Sequence, residues 1–133
     1  MDTNEFLQKY KVIEHYAGFT FRRLAPRMLL ADGVTLSVQV SHTHYCDPRE
    51  DDAYLYIDAE IGYPSQDMGP EFTEYAEDAE NPTQTVYGYV PIYLIDRYII
   101  AHGGIVGTET FVKGEDGKGV SVQTKFSDSA AQS

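Results

Sequence analysis

Three residues that could bind a metal alternate along the polar segment SHTHYCDPREDD, namely His42, His44 and Cys46. In an extended chain alternate side chains project to the same side, so these three would point together. Imidazole and thiolate suit zinc, and a metal held by the two histidines with Cys46 or Asp47 would activate water in a hydrolase. No second cysteine or paired histidine motif completes a closed site, so the alternative is a polar loop with exposed histidines.

Other kinds of catalytic site are not indicated by the residue patterns. No nucleophile motif surrounds Cys46. Gly114, Gly117 and Gly119 do not lie between a strand and the start of a helix, so no phosphate-binding loop is predicted. The many carboxylates offer pairs for acid–base chemistry, but crowding alone marks none of them as catalytic. We therefore predict a protein that is not an enzyme and binds no cofactor.

The distribution of charge is the most informative feature of the sequence. The formal net charge is −11, and residues 50–96 contain twelve acids and no lysine or arginine. This charge disfavours nucleic acid and anionic membranes as direct partners, since both require positive surfaces. An ordered acidic surface can instead occupy the basic surface of a nucleic-acid-binding protein, with a fast, electrostatically steered association. The alternative interpretation is that the charge serves only solubility.

The residues expected to contact such a partner are acids on ordered elements, with tyrosines among them as aromatic anchors. Glu71, Glu74 and Asp78 are spaced so that a helix would place them on one face. The full predicted set consists of Tyr56, Asp58, Glu60, Glu71, Glu74, Tyr75, Glu77 and Asp78.

The segments EIGYPS and EYAEDAENPTQTVYGYVPIYLID, the small size and the single cysteine resemble the short, acidic, tyrosine-rich proteins of bacterial phages and conjugative elements. The resemblance is one of overall character across the chain, and it carries over no site residues. It implies an inhibitor of a host defence protein, in the manner of anti-CRISPR proteins that resemble nucleic acid in charge. The implied target is a basic, nucleic-acid-binding protein such as an RNA-guided nuclease.

Two alternatives to an inhibitor stay open. One is the metal-dependent hydrolase that would use His42 and His44. The other is a non-enzymatic structural or regulatory partner protein, which could form a homodimer through exposed tyrosines.

The expected compartment is the cytoplasm of a bacterial cell. The lone Cys46 allows no internal disulfide and fits a reducing environment. No apolar run reaches the length of a membrane span, and the first residues lack a basic stretch followed by an apolar one.

One helix is predicted strongly, over residues 91–102. Pro91 suits the first turn and Gly103 suits the left-handed position that closes a helix. An apolar stripe at helical spacing predicts that one face packs in the core. It consists of Ile92, Leu94, Ile95, Tyr98 and Ile99. Shorter helices are expected over residues 3–10 and 71–79.

Strands are predicted from alternating patterns. Asp32-Gly33 suits a tight turn between strands at residues 27–31 and 34–40, of which the second should have one apolar and one polar face. Residues 53–61 alternate strictly, which predicts a strand with Tyr54, Tyr56, Asp58 and Glu60 on its outer face. The ranges 11–24, 106–112 and 120–126 are further candidates.

These elements add up to a single α+β domain over residues 1–126, followed by a flexible tail over residues 127–133. The fold expected is an antiparallel sheet of about four or five strands, with one main helix packed on one face.

Overall fold

The computed structural model describes residues 1–16, 19–23 and 25–127, and for residues 12–16, 19–23 and Lys113 it describes the backbone alone. The predicted tail therefore lies almost wholly outside the described residues. The chain forms the α+β fold expected, but the main antiparallel sheet has six strands rather than four or five. A separate pair of antiparallel strands precedes it in the chain.

Eight strands and three helical segments make up the described structure. The strands, in chain order, are β1 (Val12–Tyr16), β2 (Phe19–Arg23), β3 (Arg27–Leu30), β4 (Thr35–Gln39), β5 (Asp58–Gly62), β6 (Val86–Pro91), β7 (Ile105–Lys113) and β8 (Gly119–Lys125). The α-helices are α1 (Thr3–Tyr10) and α2 (Ile92–Ala101), and a 3-10 helix spans Pro70–Tyr75. The six-stranded sheet has the order β6-β5-β4-β3-β7-β8, and β1 pairs with β2.

The helix α2 confirms the strongest sequence prediction. Its buried residues are the five of the predicted apolar stripe. The helix begins at Ile92, while Pro91 is its N-cap and also the last residue of β6. Gly103 has a φ of 90°, and the N–H of Gly104 donates to the Ile99 carbonyl at 2.9 Å, which closes the last turn.

The predicted hairpin around Asp32-Gly33 forms as β3 and β4, with Gly33 at a φ of 95°.

The second face of β4 is polar, as expected, but Thr35 and Gln39 on it are buried rather than solvated. Gln39 satisfies both backbone groups of Ala25, accepting from its N–H at 3.0 Å and donating to its carbonyl at 2.9 Å. A buried amide is stable here because its polar atoms are paired.

The prediction of a strand over residues 53–61 is wrong in its first half, since β5 begins only at Asp58. Side chains of α1 hold the preceding residues in an irregular path. Asn4 bonds both the N–H and the carbonyl of Tyr56, at 2.9 and 3.2 Å, and Gln8 donates to the carbonyls of Ala53 and Tyr54. These amides replace the hydrogen bonds of a strand ladder.

The prediction of a helix over residues 71–79 is also wrong beyond its first turn. The 3-10 helix ends at Tyr75, and Ala76 forms a bridge with Tyr87 on the edge strand β6. The N–H of Glu77 donates to the Val86 carbonyl at 2.9 Å. An extended path is favoured here because it satisfies the outer edge of β6.

The two α-helices are linked by one carboxylate. Asp96 of α2 accepts from the N–H of Thr3 at 2.8 Å and from its hydroxyl at 2.5 Å, and Thr3 is fully buried. The N–H groups of a first helical turn have no partner within the helix, so Asp96 supplies one.

We predict that Asp96→Ala destabilises the protein by about 1–3 kcal/mol, because it leaves buried donors of Thr3 unpaired. Urea unfolding measures the change. The control is Arg97→Ala, which removes a more exposed partner of Glu71 at 3.3 Å and should cost about 1 kcal/mol or less. Equal losses in the two variants would contradict the prediction.

Candidate functional site

A groove of about 500 Å³ lies where the segment after the 3-10 helix meets the edge strand β6. Its walls combine three tyrosines with two acids. They are formed by Tyr45, Glu74, Tyr75, Glu77, Val86, Gly88 and Tyr89, and we call this site the tyrosine groove. Tyr45 and Tyr89 are each 47% exposed, and both acids are exposed. The groove is therefore an aromatic surface with carboxylates on its walls.

A β-bulge in β6 presents Tyr89 to this groove. The pairs Ala59↔Val90 and Ile61↔Tyr87 place two residues of β6, Gly88 and Tyr89, opposite one residue of β5. The extra residue lets Tyr87 and Val90 both point into the core while Tyr89 stays exposed.

The bulge is fixed by contacts with Tyr45. Tyr89 has a φ of 53°, and its N–H donates to the Tyr45 carbonyl at 2.9 Å. A side chain on Gly88 would crowd Tyr45, since a Cβ there would lie 3.1 Å from the Cβ of Tyr45. The rings of Tyr45 and Tyr89 are 5.8 Å apart and inclined by 40°, so the aromatic pair is held by the backbone as well as by ring contact.

Glu60 lies beside the tyrosine groove, with a side chain only 15% exposed. It accepts from the N–H of Tyr45 at 3.3 Å, and its other oxygen lies 3.8 Å from Nε2 of His44. Burial raises the pKa of Glu60, and the negative charge of Glu77 raises it further. Folding therefore places a carboxyl where its charge is disfavoured, a pattern typical of functional sites.

Asp58, two residues before Glu60 on β5, also has a raised pKa. Burial raises the pKa of its carboxyl, and the charge of Asp47 adds to the effect. Its Oδ1 is buried and has no hydrogen-bond partner among the described residues. Ionisation of Asp58 is therefore disfavoured in the fold, and Asp58 lies beside the loop that carries Asp47 and Cys46 rather than in the groove.

Tyr56, predicted as an exposed anchor, is only 3% exposed. Its hydroxyl donates to the Glu50 carbonyl at 2.7 Å and accepts from the N–H of Ala53 at 3.1 Å. The Nζ of Lys11 lies 3.3 Å from the same oxygen. The role of Tyr56 is therefore structural, and the prediction that it contacts a partner through an exposed ring is wrong.

The eight predicted contact residues are divided by the fold. Glu74, Tyr75 and Glu77 line the tyrosine groove, and Glu60 adjoins it. Glu71 lies elsewhere, beside Arg97 on a cavity of about 280 Å³ against α2. Asp78 accepts hydrogen bonds from Asn81 and from the N–H of Glu80 in a turn. The single helical face predicted for Glu71, Glu74 and Asp78 does not exist, because the helix ends at Tyr75.

Two groove residues, Tyr45 and Tyr89, are absent from the predicted set. The sequence does contain a signal for Tyr89, since the glycine in VYGYV interrupts a strand and a glycine there indicates a bulge. Tyr45 carries no comparable local signal, because its place in the groove depends on contacts with β6.

Residues 41–52, which carry His42, His44 and Cys46, do not adopt the extended conformation that would align these three side chains. The segment is formed mainly of turns and bends, and its three candidate ligands bond to three different groups rather than pointing to one common centre. His42 Nδ1 lies 2.7 Å from Asp51, His44 Nδ1 lies 2.6 Å from the Ser41 hydroxyl, and Cys46 is buried with its thiol on the Ser41 carbonyl. Among the residues whose side chains the structure describes, 1–11, 25–112 and 114–127, no three of the types His, Cys, Asp and Glu are arranged to hold a metal ion.

Comparison of the chain with protein-family models, with curated proteins and with solved structures finds no match. None of the helices in the described ranges has the length and apolar character that a membrane crossing requires.

We predict that Tyr56→Phe destabilises the fold by about 1–3 kcal/mol, because the buried N–H of Ala53 and the Glu50 carbonyl lose their partner. Thermal and urea unfolding measure the loss. The control is Tyr54→Phe, at a ring that is 85% exposed, which should leave stability unchanged. A fully stable Tyr56→Phe protein would contradict this structural role.

We predict that Asp58→Asn raises stability at pH 7 by up to about 1 kcal/mol, because it removes a charge from a partly buried site beside Asp47. The raised pKa means that the folded state holds this proton more readily than the unfolded chain. The carboxyl therefore favours folding below its unfolded pKa, and this contribution is lost as the pH rises through the folded pKa.

Melting temperatures of Asp58→Asn and the wild type, measured from pH 3 to pH 7, should differ least at the acid end, near or below the unfolded pKa of about 4. Glu80→Gln provides the control, since it removes one charge from an exposed side chain. A loss of stability at pH 7, or an equal gain in the control, would refute the explanation.

Proposed function

We propose that this chain is a binding protein that docks its tyrosine groove and the adjoining carboxylates on the basic surface of a nucleic-acid-binding protein. Docking there would exclude nucleic acid and so inhibit the partner. The observation that carries the proposal is the grouping of three tyrosines with Glu74 and Glu77 in one open groove.

The chemistry of the groove suits an arginine or lysine side chain. Such a cation is attracted to the face of a tyrosine ring and pairs with a carboxylate at the same time. The chain already contains one such contact between a cation and a ring, since the guanidinium of Arg49 lies 5.5 Å from the centre of the Tyr45 ring. Surfaces that bind nucleic acid present such cations in numbers, so a complementary acidic surface competes for them.

The geometry also supports binding with little rearrangement. The bulge that presents Tyr89 is held by a backbone hydrogen bond, and Glu77 is tied through its N–H to β6. A groove formed from such elements loses little conformational freedom when a partner is bound, which favours affinity. Tyrosines in this setting are typical anchors of protein interfaces.

The resemblance to proteins of phages and conjugative elements makes a bacterial defence protein the expected class of target. An RNA-guided nuclease fits best, because it holds nucleic acid in a long basic channel. The chain would then be an anti-CRISPR-like inhibitor that resembles nucleic acid in charge, acting in the bacterial cytoplasm.

The first test uses the immobilised chain to capture proteins from a bacterial lysate, followed by elution with duplex DNA, with RNA and with salt. We expect a basic nucleic-acid-binding protein that each of the three eluents releases, since all compete for the same charges. Captured proteins that resist both nucleic acid and salt would overturn the proposal.

The second test locates the contact. Glu74→Gln with Glu77→Gln should weaken capture of that protein by about tenfold or more, the scale of two lost charge-assisted contacts. The matched control is Glu115→Gln with Asp116→Asn, which removes the same charge from exposed residues of the turn between β7 and β8. Equal weakening by the two pairs would show that net charge, rather than the groove, drives binding.

The aromatic part of the groove is tested in the same assay. Tyr89→Ala should weaken capture by about tenfold or more, because it removes an anchoring ring. Tyr54→Ala, at a ring that is 85% exposed and lies beside α1 outside the groove, should leave capture unchanged. An unaffected Tyr89→Ala protein would remove the tyrosine groove from the proposal.

A further inference from the structure

The two edges of the six-stranded sheet differ. The outer edge of β6 is covered, because Glu77 donates to the Val86 carbonyl and Tyr89 donates to the Tyr45 carbonyl. The outer edge of β8 pairs with no strand in the parts of the chain that the structure describes. An uncovered edge presents a row of unpaired backbone groups, which favours pairing with another strand.

The register of β7 and β8 identifies the backbone groups on this open edge. The N–H of Phe126 donates to the Val106 carbonyl at 2.8 Å, and that of Gly114 donates to the Lys118 carbonyl at 2.7 Å. Because hydrogen-bonding directions alternate along a strand, the even-numbered residues of β8 face β7. The N–H and C=O groups of Gly119, Ser121, Gln123 and Lys125 therefore face outward.

An apolar stripe lies beside this edge. Val112 is directly opposite Val120, and Val122 follows on the same face of the hairpin. The exposed fractions are 47% for Val112, 63% for Val120 and 44% for Val122. The pairing of β7 with β3 ends at Glu109, so the rest of the β7–β8 hairpin extends beyond β3. An extended two-stranded ribbon with exposed valines is only marginally stable alone, so a partner strand would stabilise it.

The charge near the edge identifies the kind of strand that fits. Two copies of a chain with a net charge of −11 repel each other over most of their surfaces. Most of this excess charge lies in residues 50–96, whereas in residues 105–127 three acids and three lysines balance. A second copy can therefore approach at β8 without the repulsion that would oppose contact between two acidic segments.

The sequence of β8 is also compatible with antiparallel pairing to itself. With a two-fold axis at Val122, Ser121 lies opposite Gln123 of the second copy and Gly119 lies opposite Lys125 of the second copy. The outward backbone groups then meet in hydrogen-bonded pairs, and no two lysines face each other. Val120 meets Thr124 of the second copy, so β-branched side chains pair along the stripe, as stable sheets favour.

We propose that two copies of this chain associate through β8, in antiparallel pairing centred on Val122, to form one continuous twelve-stranded sheet. The interface is isologous, as most homodimer interfaces are. It leaves the tyrosine groove at the opposite edge of each sheet exposed, because β6 and β8 are the two edge strands. The proposal does not depend on the function proposed above.

A disulfide tests the register. In a non-hydrogen-bonded antiparallel pair the Cα atoms are about 4.5 Å apart, which a disulfide can bridge. Val122→Cys should therefore oxidise to a covalent dimer of twice the 14.9 kDa chain mass on a non-reducing gel. Val120→Cys is the control, since its two copies would be about 13 Å apart along the paired strands. The native Cys46 is buried and adds no exposed thiol.

Sedimentation equilibrium tests the association without cysteine. The wild type should sediment as a dimer, and Ser121→Pro should raise the dissociation constant at least tenfold while far-UV circular dichroism stays unchanged. Proline there removes an outward N–H and leaves the bonds to β7 intact. A monomeric wild type, or crosslinking of Val122→Cys that does not exceed that of Val120→Cys, would overturn the proposal.

Discussion

Two short helices share one hydrophobic core with the six-stranded sheet, and helices of this length are not stable in isolation. Their stability must come from tertiary contacts, which here include polar ones. Asp96 anchors the start of α1 on α2, and Asn4 and Gln8 of α1 hold the segment before β5. Because α1 is tied to both neighbours, the core and the path of the chain into β5 depend on the same few side chains.

Next to the candidate site, the core contains carboxyl groups whose ionised form is disfavoured by burial. Asp58 and Glu60 lie on the same face of β5, and burial is the first cause of the raised pKa of each carboxyl. Selection for stability alone removes such groups, whereas a binding site retains them when a cationic partner offsets the cost. Of the two, only Glu60 adjoins the tyrosine groove, whose walls add the exposed carboxylates of Glu74 and Glu77.

The sequence was sufficient for elements whose conformation is decided locally. The stripe of α2 and the Asp32-Gly33 turn depend on neighbours in the chain, and both were predicted correctly. Residues 53–57 and 76–79 were misassigned because distant partners, such as Asn4 for Tyr56 and Tyr87 for Ala76, determine their paths. Dependence on distant partners also explains why only part of the candidate site was predicted. Glu74, Tyr75 and Glu77 are close in sequence and stay together, whereas Tyr45 and Tyr89 meet only through tertiary pairing.

The strand β6 passes into α2 with no connecting residue, since Pro91 ends the strand and Ile92 begins the helix. Proline restricts the backbone at this junction, so the strand and the helix have no flexible hinge between them. The wall of the tyrosine groove is therefore joined directly to the main helix of the core. A ligand that holds β6 in the groove would restrain the first turn of α2 through this junction, and amide hydrogen exchange would register the slower opening there.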